Sequence, residues 1–193
     1  EGRRILFVGR NFVRKGGPLV VQAFTILRKK YLWSAELYLA GAKESDIRDA
    51  LRERQIRVEE VDWQKIHLLG DLGSEKLTDY YNLCDVFCMP SYFEAYGLVF
   101  AEALTYGLPC IGRDKFAEFI VDGCTGRLIS GEDAEELALD LWEVLQDPKY
   151  REEVERRREW YLREYSWDKV AQRICSVMEK NERDKDQYRS AGV

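Results

Sequence analysis

Short apolar runs alternate with longer amphipathic segments along the first two thirds of the chain. Two of the runs, ILFVG and DVFCMP, are almost continuously apolar, which is typical of strands covered on both faces. Most of the runs end in Gly, Pro or Ser, residues that favour turns. The pattern predicts strands at residues 5–9, 36–41, 65–70, 85–90, 108–112 and 126–130.

The segments after these runs carry apolar residues at helical spacing. In the segment 17–31, for example, Leu19, Val20, Ala23 and Leu27 form one stripe that a helix would bury. The same reasoning predicts helices at 17–31, 45–57, 74–82, 98–106 and 116–122, and three C-terminal helices at 133–145, 148–165 and 167–182.

Strands that alternate with helices indicate parallel βαβ units with helices on both faces of one sheet. The predicted fold class is therefore α/β, a doubly wound, Rossmann-like parallel sheet of about six strands with C-terminal helices. Such sheets bind ligands at the carboxyl ends of the strands, where the strand order changes direction. Candidate chemistry should lie in the loops after Gly9, Gly70 and Pro90.

Composition excludes several classes of function. A net charge of −5 argues against a general nucleic-acid binder, and the basic helix 151–158 interleaves acids with its arginines, as solvated helices do. No apolar run approaches the roughly 20 residues that span a bilayer, and we expect no secretory leader. Five cysteines without a CxxC pair favour reduced thiols, so we expect a cytoplasmic protein or one at the cytoplasmic face of a membrane.

Two cations flank the loop after the first predicted strand. Arg10 follows Gly9, and Lys15 precedes the glycines that open the next helix, although neither G-x-G-x-x-G nor a Walker A spacing is present. Both side chains can point at an anion over the helix start, where free N–H groups already favour negative charge. An Arg and a Lys together suit a diphosphate, but taken alone such residues near a helix start are more often part of a solvated surface.

Two acids interrupt the mostly apolar stretch SYFEAYGLVFAEALTYGLP. Glu94 is predicted to lie in the loop over the crevice, and Glu102 about one turn into the helix that begins after Gly97. A carboxylate at that place can accept hydrogen bonds from two adjacent ribose hydroxyls. The alternative is a helix cap at Glu94 and an exposed helix position at Glu102.

These motifs resemble one family of enzymes. FEAYGLVFAEALTYGLPCI resembles the E-x7-E segment of the retaining glycosyltransferases related to glycogen synthase and the family 4 mannosyltransferases. FVGRNFVRKGG is similar to the same family's first strand and loop, and the likeness runs from about residue 4 to residue 178. The resemblance implies a GT-B architecture of two facing Rossmann-like domains, of which residues 1–180 match the carboxyl-terminal, donor-binding half. Residues 181–193 form a polar tail that we expect to be disordered.

The resemblance also implies roles for individual residues. Arg10 and Lys15 would bind the donor pyrophosphate, and together with Glu94 they would act in catalysis, Glu94 by holding hydroxyls of the transferred sugar. The donor-binding residues would be Gly9, Arg10, Lys15, Asp71, Leu72, Glu94, Gly97, Leu98 and Glu102. Among them Glu102 would hold the ribose, the N–H groups of Gly97 and Leu98 would face the phosphates, and Asp71 and Leu72 would lie near the base.

The implied enzyme transfers a sugar from a nucleoside-diphosphate sugar with retention of configuration. The sequence has no D-x-D motif and no metal-ligand cluster, so we expect no cofactor and no metal. Its partners would be the sugar donor, an unspecified acceptor and an N-terminal GT-B domain that has no counterpart in these residues. Without that domain the isolated chain should be inactive.

One loop departs from the family pattern. Where members commonly carry a Gly-Gly pair before a Glu, this chain reads GRDKFAE, so that Asp114, Lys115, Phe116 and Ala117 precede Glu118. Lys115 is either a third cation of the site or a solvated side chain. The altered loop also motivates a second hypothesis, a non-catalytic, glycosyltransferase-like module that binds a partner chain.

Overall fold

The structure is a computed structural model, and it describes residues 3–166 together with 168, 169, 171, 172, 175 and 176. By its internal contacts the chain divides into two units, Glu1–Arg158 and Glu159–Val193. In the second unit, the six described residues within the predicted helix 167–182 are helical. The rest of that helix and the tail 181–193 lie outside the described residues.

The first unit contains a sheet with helices on its connections. Its strands are β1 (Arg4–Val8), β2 (Glu36–Ala40), β3 (Ile66–Gly70), β4 (Val86–Cys88), β5 (Cys110–Arg113) and β6 (Gly126–Ile129). The helices are α1 (Gly17–Lys30), α2 (Glu44–Glu53), α3 (Ser74–Leu83), α4 (Leu98–Thr105), α5 (Ala134–Gln146) and α6 (Lys149–Glu164), the last of which runs into the second unit. Short 3₁₀ turns occupy Val58–Glu60, Trp63–Lys65 and Asp114–Phe116.

The predicted doubly wound sheet is confirmed. The six strands are all parallel and lie in the order β3-β2-β1-β4-β5-β6. In the centre, Leu6 of β1 pairs with Tyr38 of β2 on one side and with Phe87 of β4 on the other. Since the chain winds outward from β1 to β3 and then returns to β4, the order reverses between β1 and β4. In sheets of this kind ligands bind at the carboxyl ends of the strands beside such a reversal, and we call this edge between β1 and β4 the crevice.

The core forms where the apolar runs are continuous. Ile5, Leu6 and Phe7 of β1 are fully buried, as are all three residues of β4, because helices cover both faces of the central strands. The thiols of Cys84, Cys88 and Cys110 are buried in this core, and burial raises the pKa of Cys84 to about 12. The mostly apolar surroundings of the five cysteines in the sequence predict that all five are small core residues. The prediction is confirmed for these three, but Cys124 is half-buried and Cys175 is exposed.

The predicted helix at 116–122 is wrong. The chain makes one turn there, with hydrogen bonds from Phe119 and Ile120 to the carbonyl of Phe116. It then forms a turn and an isolated bridge between Asp122 and Gly126. Phe116, Phe119 and Ile120 are all buried, and their i, i+3, i+4 spacing imitates a helix. Helix α2 also ends earlier than predicted, at Glu53, just before Gln55 adopts a left-handed backbone at φ 57°.

A glycine fixes the approach of the β1–α1 loop to the end of β4. Gly16 has a φ of 80°, and a Cβ built on it would lie 2.4 Å from the carbonyl oxygen of Pro90. Gly16→Ala should therefore lower the free energy of unfolding by about 1–3 kcal/mol, since it adds backbone strain and a clash with main chain. Urea denaturation measures this loss.

Gly131→Ala is the matched control, because a Cβ there would meet its nearest atom at 3.8 Å, in ordinary van der Waals contact. Gly131→Ala should change the urea concentration at the midpoint of unfolding little. Equal stability of the two variants would contradict the close approach of the two loops.

Candidate functional site

Two loops meet at the crevice between β1 and β4. The loop of residues 9–16 follows β1, and the loop of residues 89–97 follows β4. The amide of Tyr92 donates a hydrogen bond of 2.9 Å to the carbonyl of Arg14, and the hydroxyl oxygen of Ser91 lies 3.3 Å from the same carbonyl oxygen. The loops are thus joined through their backbones, which fixes the positions of the charged side chains on them.

Lys15 and Glu94 form an ion pair at the centre of this junction. The ammonium of Lys15 lies 3.1 Å from Oε1 of Glu94, and the buried Ser91 hydroxyl donates to the same oxygen at 2.9 Å. The side chains are only 16% and 13% exposed. The lysine reaches Glu94 by passing over Gly9, where a Cβ would lie 2.5 Å from Cδ of Lys15.

Arg14 joins the pair from the side. Its Nη1 lies 3.4 Å from Oε1 of Glu94 and also donates to the carbonyl of Phe93. No functional role of Arg14 was predicted from the sequence. The only available signal was its place directly before Lys15, and a loop has no periodicity from which the direction of a side chain follows.

Lys115 reaches the same loop from the altered segment after β5. Its ammonium donates to the carbonyl of Tyr92. Burial, followed by the charge of Arg113, lowers the pKa of Lys115, while the charges of Glu94 and Asp114 act in the opposite direction. We call Arg14, Lys15 and Lys115 the cation cluster; Glu94 is the carboxylate near all three.

The neighbours of Lys115 are held firmly. Arg113 donates from Nε to the carbonyl of Pro90 at 3.2 Å and lies 4.4 Å from the centre of the Tyr92 ring. Phe116 is buried against Phe100, with ring centroids 4.5 Å apart. Phe116 therefore packs into the core beneath α4 and does not fill the crevice.

Helix α4 begins at the crevice. Gly97, at φ 91°, is its N-terminal cap residue, and no side chain caps the helix, so the predicted alternative of a capping role for Glu94 is wrong. Leu98, the first helical residue, is 52% exposed. The first N–H groups of α4 have no partner within the helix, as in any helix, and they favour an anion.

Glu102 lies on the exposed side of α4. Its Oε2 accepts a hydrogen bond of 3.1 Å from the hydroxyl of Tyr81, a buried residue of α3. Burial and the neighbouring carboxylate raise the pKa of Tyr81 well above its ordinary value, so this phenol stays a donor. The buried Tyr81 therefore fixes the position of one carboxylate oxygen of Glu102. Glu102 itself is exposed on the helix, as the alternative prediction for this residue states.

Arg10 stands apart from the cation cluster. Among the described residues it pairs with Asp71, the residue after β3, at 3.1 Å, and the two side chains are 82% and 68% exposed. The structure thus brings Lys15 and Glu94 together and brings Arg10 and Asp71 together, but it does not join the two pairs. Leu72, next to Asp71, is half-buried.

The described part of the chain contains no group of three or more His, Cys, Asp or Glu side chains placed to hold a metal ion. None of its helices has the length and apolar character that crossing a bilayer requires.

Comparison with known proteins identifies the family of the chain. Residues 2–147 match the model of the family described as glycosyl transferases group 1. An uncharacterised glycosyltransferase of Methanocaldococcus jannaschii is 28% identical over 182 residues, which is 92% of this chain and 45% of that protein. The phosphatidyl-myo-inositol mannosyltransferase of Mycolicibacterium smegmatis is 28% identical over 183 residues, covering 93% of this chain and 45% of that protein. The chain spans a little under half the length of these relatives.

Solved structures show the same fold. Anabaena HepE in complex with UDP and glucose superposes with a TM-score of 0.78 at 17% identity, over 93% of this chain and 48% of that one. Sucrose-phosphate synthase from Thermosynechococcus elongatus gives a TM-score of 0.75 at 24% identity, over 94% and 46%.

Glu94 pairs with Lys15 and Arg14, and Lys115 adds a third positive charge to the same loop, which predicts an asymmetry between two variants. Glu94→Gln keeps an oxygen acceptor for Ser91 but removes the one negative charge that faces Lys15 and Arg14, whereas Lys15→Met removes one of the positive charges and keeps the acid. Glu94→Gln should therefore cost more stability, by about 1–3 kcal/mol. Urea denaturation of both variants at low salt measures the difference.

Because salt screens the repulsion among partly exposed charges, 1 M NaCl should narrow this difference. A loss for Lys15→Met as large as that for Glu94→Gln would show that the cations do not share Glu94.

Proposed function

The chain belongs to the glycosyl transferases group 1 family, as its motifs predict, and from this premise we propose that the crevice binds the diphosphate of a nucleoside-diphosphate sugar. The chain would be the donor-binding half, residues 1–180, of a retaining, metal-independent glycosyltransferase that passes the sugar to an acceptor.

The convergence of charge at the crevice carries this proposal. The cation cluster and Glu94 leave two positive charges in excess, and the start of α4 adds partial positive charge beside them. A diphosphate in a sugar donor carries two negative charges, so it balances this excess. Lys contributes a point charge and Arg a planar fork, and both suit phosphate oxygens.

The same charges can assist the chemistry. When the glycosidic bond to the diphosphate breaks, negative charge grows on the leaving oxygen, and fixed cations with a helix N-terminus stabilise it without a metal. Glu94 lies on the cluster with its Oε2 free of the Lys15, Arg14 and Ser91 contacts, which all involve Oε1. We assign Glu94 to sugar hydroxyls as a positioning and electrostatic group.

The other residues around the crevice are assigned to the ribose, the phosphates and the base of the donor. Tyr81 engages Oε2 of Glu102, so the other oxygen can accept from ribose hydroxyls. Arg10 now pairs with Asp71, with 3.1 Å between Nε and Oδ1, on the β3 side of the crevice. To reach a phosphate, its side chain would have to leave Asp71. Asp71 and Leu72 would then lie near the base.

A second domain would complete the enzyme. The relatives are about twice as long as this chain, and Phe93, Tyr96 and Leu98 beside the crevice are 65%, 44% and 52% exposed. Three large apolar side chains on one short loop suit a surface that another domain covers. Since acceptor positioning would depend on that domain, the isolated chain should show no turnover or very slow turnover. The predicted cytoplasmic location stays a prediction.

The alternative of a non-catalytic module rests on the altered loop. A crevice blocked by Lys115 or Phe116 would favour it, but Phe116 is 3% exposed and packs on Phe100. The loop instead brings Lys115 towards the other cations, which favours donor binding.

Binding of nucleotides to the isolated chain tests the proposal. UDP, GDP, ADP and CDP at millimolar concentration are compared by thermal shift, and at least one of them should raise the melting temperature by mass action. The complex of HepE with UDP makes UDP the first choice. Lys15→Ala should reduce the shift through loss of a phosphate cation, and Arg10→Ala should reduce it as well. A panel without any response would contradict the proposal.

Glu102→Gln separates ribose binding from phosphate binding. Its amide accepts hydroxyl hydrogen bonds more weakly than a carboxylate does, so the affinity for UDP should fall by about tenfold. The affinity for 2′,3′-dideoxy-UDP should be unchanged by the substitution, since that ligand has no ribose hydroxyls. Calorimetric titration measures both constants. An equal loss for the two ligands would remove Glu102 from the ribose site.

A further inference from the structure

Lys115 is a cation without a matching acid. Neighbouring Arg113 has Glu132 at 3.7 Å, and Lys15 and Arg14 share Glu94. Within the described residues, Lys115 has no carboxylate within 4.0 Å, and its ammonium donates instead to the carbonyl of Tyr92. One carbonyl satisfies one of its three N–H donors.

The position of this ammonium is built into the loop. Residues 114–116 form a 3₁₀ turn that follows β5 directly, and Phe116 is buried at its end. The carboxylate of Asp114 accepts the backbone N–H of Lys115 at 2.8 Å, which closes the start of the turn. With both flanks fixed, the side chain of Lys115 extends to the loop that carries Glu94.

The surrounding charges leave Lys115 short of negative charge. The groups that act on it are Arg113 and Arg14, which oppose its charge, and Glu94 and Asp114, which favour it. Glu94 is already held by Lys15 and Arg14, and Asp114 is exposed to solvent. Although Lys115 is an exposed residue, partial desolvation of its ammonium lowers its pKa further. An anion brought by a ligand would remove this imbalance.

We propose that Lys115 binds the donor diphosphate as a third cation, together with Lys15 and Arg14. The inference rests on the proposed function, because it assigns a further residue to the same site. It differs from the alternative that Lys115 recognises an acidic sugar. Two excess charges remain once Glu94 is counted against the cluster, and a diphosphate accounts for both of them.

Affinity measurements on Lys115→Gln test the proposal. By calorimetric titration, UDP should bind Lys115→Gln roughly tenfold more weakly than wild type, as loss of one charge-assisted hydrogen bond implies. Lys115→Arg should retain most of the affinity. Lys149→Gln is the control, since it removes one positive charge from an exposed position at the start of α6, away from the crevice. It should leave the affinity unchanged.

A comparison of ligands identifies the anion that Lys115 meets. The loss in Lys115→Gln should be the same for UDP, UDP-glucose and UDP-glucuronate, because the diphosphate is common to all three. A loss confined to UDP-glucuronate would overturn the inference in favour of an acidic sugar.

The pH dependence of UDP binding is a second readout. Because burial and Arg113 lower the pKa of Lys115, the wild-type affinity should decline at high pH before that of Lys115→Arg, whose guanidinium stays protonated. Ionisation of uracil affects both proteins equally. Coincident pH profiles would count against the inference.

The inference and the proposed function can fail separately. If wild type binds UDP and Lys115→Gln binds it equally well, Lys115 is not a donor residue and the proposed function stands. If wild type binds no nucleoside diphosphate at all, both are wrong. A melting temperature of Lys115→Gln equal to that of wild type excludes loss of fold as the cause of weaker binding.

Discussion

The site depends on one carboxylate shared by several cations. Glu94 is 13% exposed, and an isolated acid at that depth would be costly, but Lys15, Arg14 and the Ser91 hydroxyl all contact its Oε1. Glu94 cannot neutralise them all, because Lys115 adds a further positive charge to the same loop. The excess charge is a cost to the unliganded fold and, in the function that we propose, the source of affinity for a diphosphate. Stability and function are thus opposed at this point of the molecule.

The backbone makes this concentration of charge possible. The strand order reverses between β1 and β4, and the two loops above this edge are joined by the hydrogen bond from the amide of Tyr92 to the carbonyl of Arg14. Gly9 leaves room for the lysine chain, and Gly16 lets its loop lie against Pro90. The lysine and the glutamate therefore meet through rigid main chain, which keeps the geometry ready before any ligand arrives.

Much of this could be predicted from the sequence, for identifiable reasons. Continuous apolar runs marked the central strands, and the turn residues at the strand ends pointed to the loops after Gly9 and Pro90, which carry Lys15 and Glu94. The expected partnership of Arg10 with Lys15 is not found, since Arg10 pairs with Asp71. The directions of side chains in loops could not be predicted in this way, because they depend on tertiary contacts. The engagement of Arg14 with Glu94, the pairing of Arg10 with Asp71 and the bond from Tyr81 to Glu102 had no periodic signal. At 116–122, three buried residues at helical spacing concealed a single turn.

The central claim is that the crevice between β1 and β4 receives a diphosphate. A crystal structure of the chain soaked with UDP tests it most directly. We expect phosphate oxygens within hydrogen-bond distance of Lys15 and of the first N–H groups of α4, with the ribose beside Glu102. A nucleotide bound on another face, with the contact between Lys15 and Glu94 unchanged at 3.1 Å and no phosphate near either residue, would contradict it.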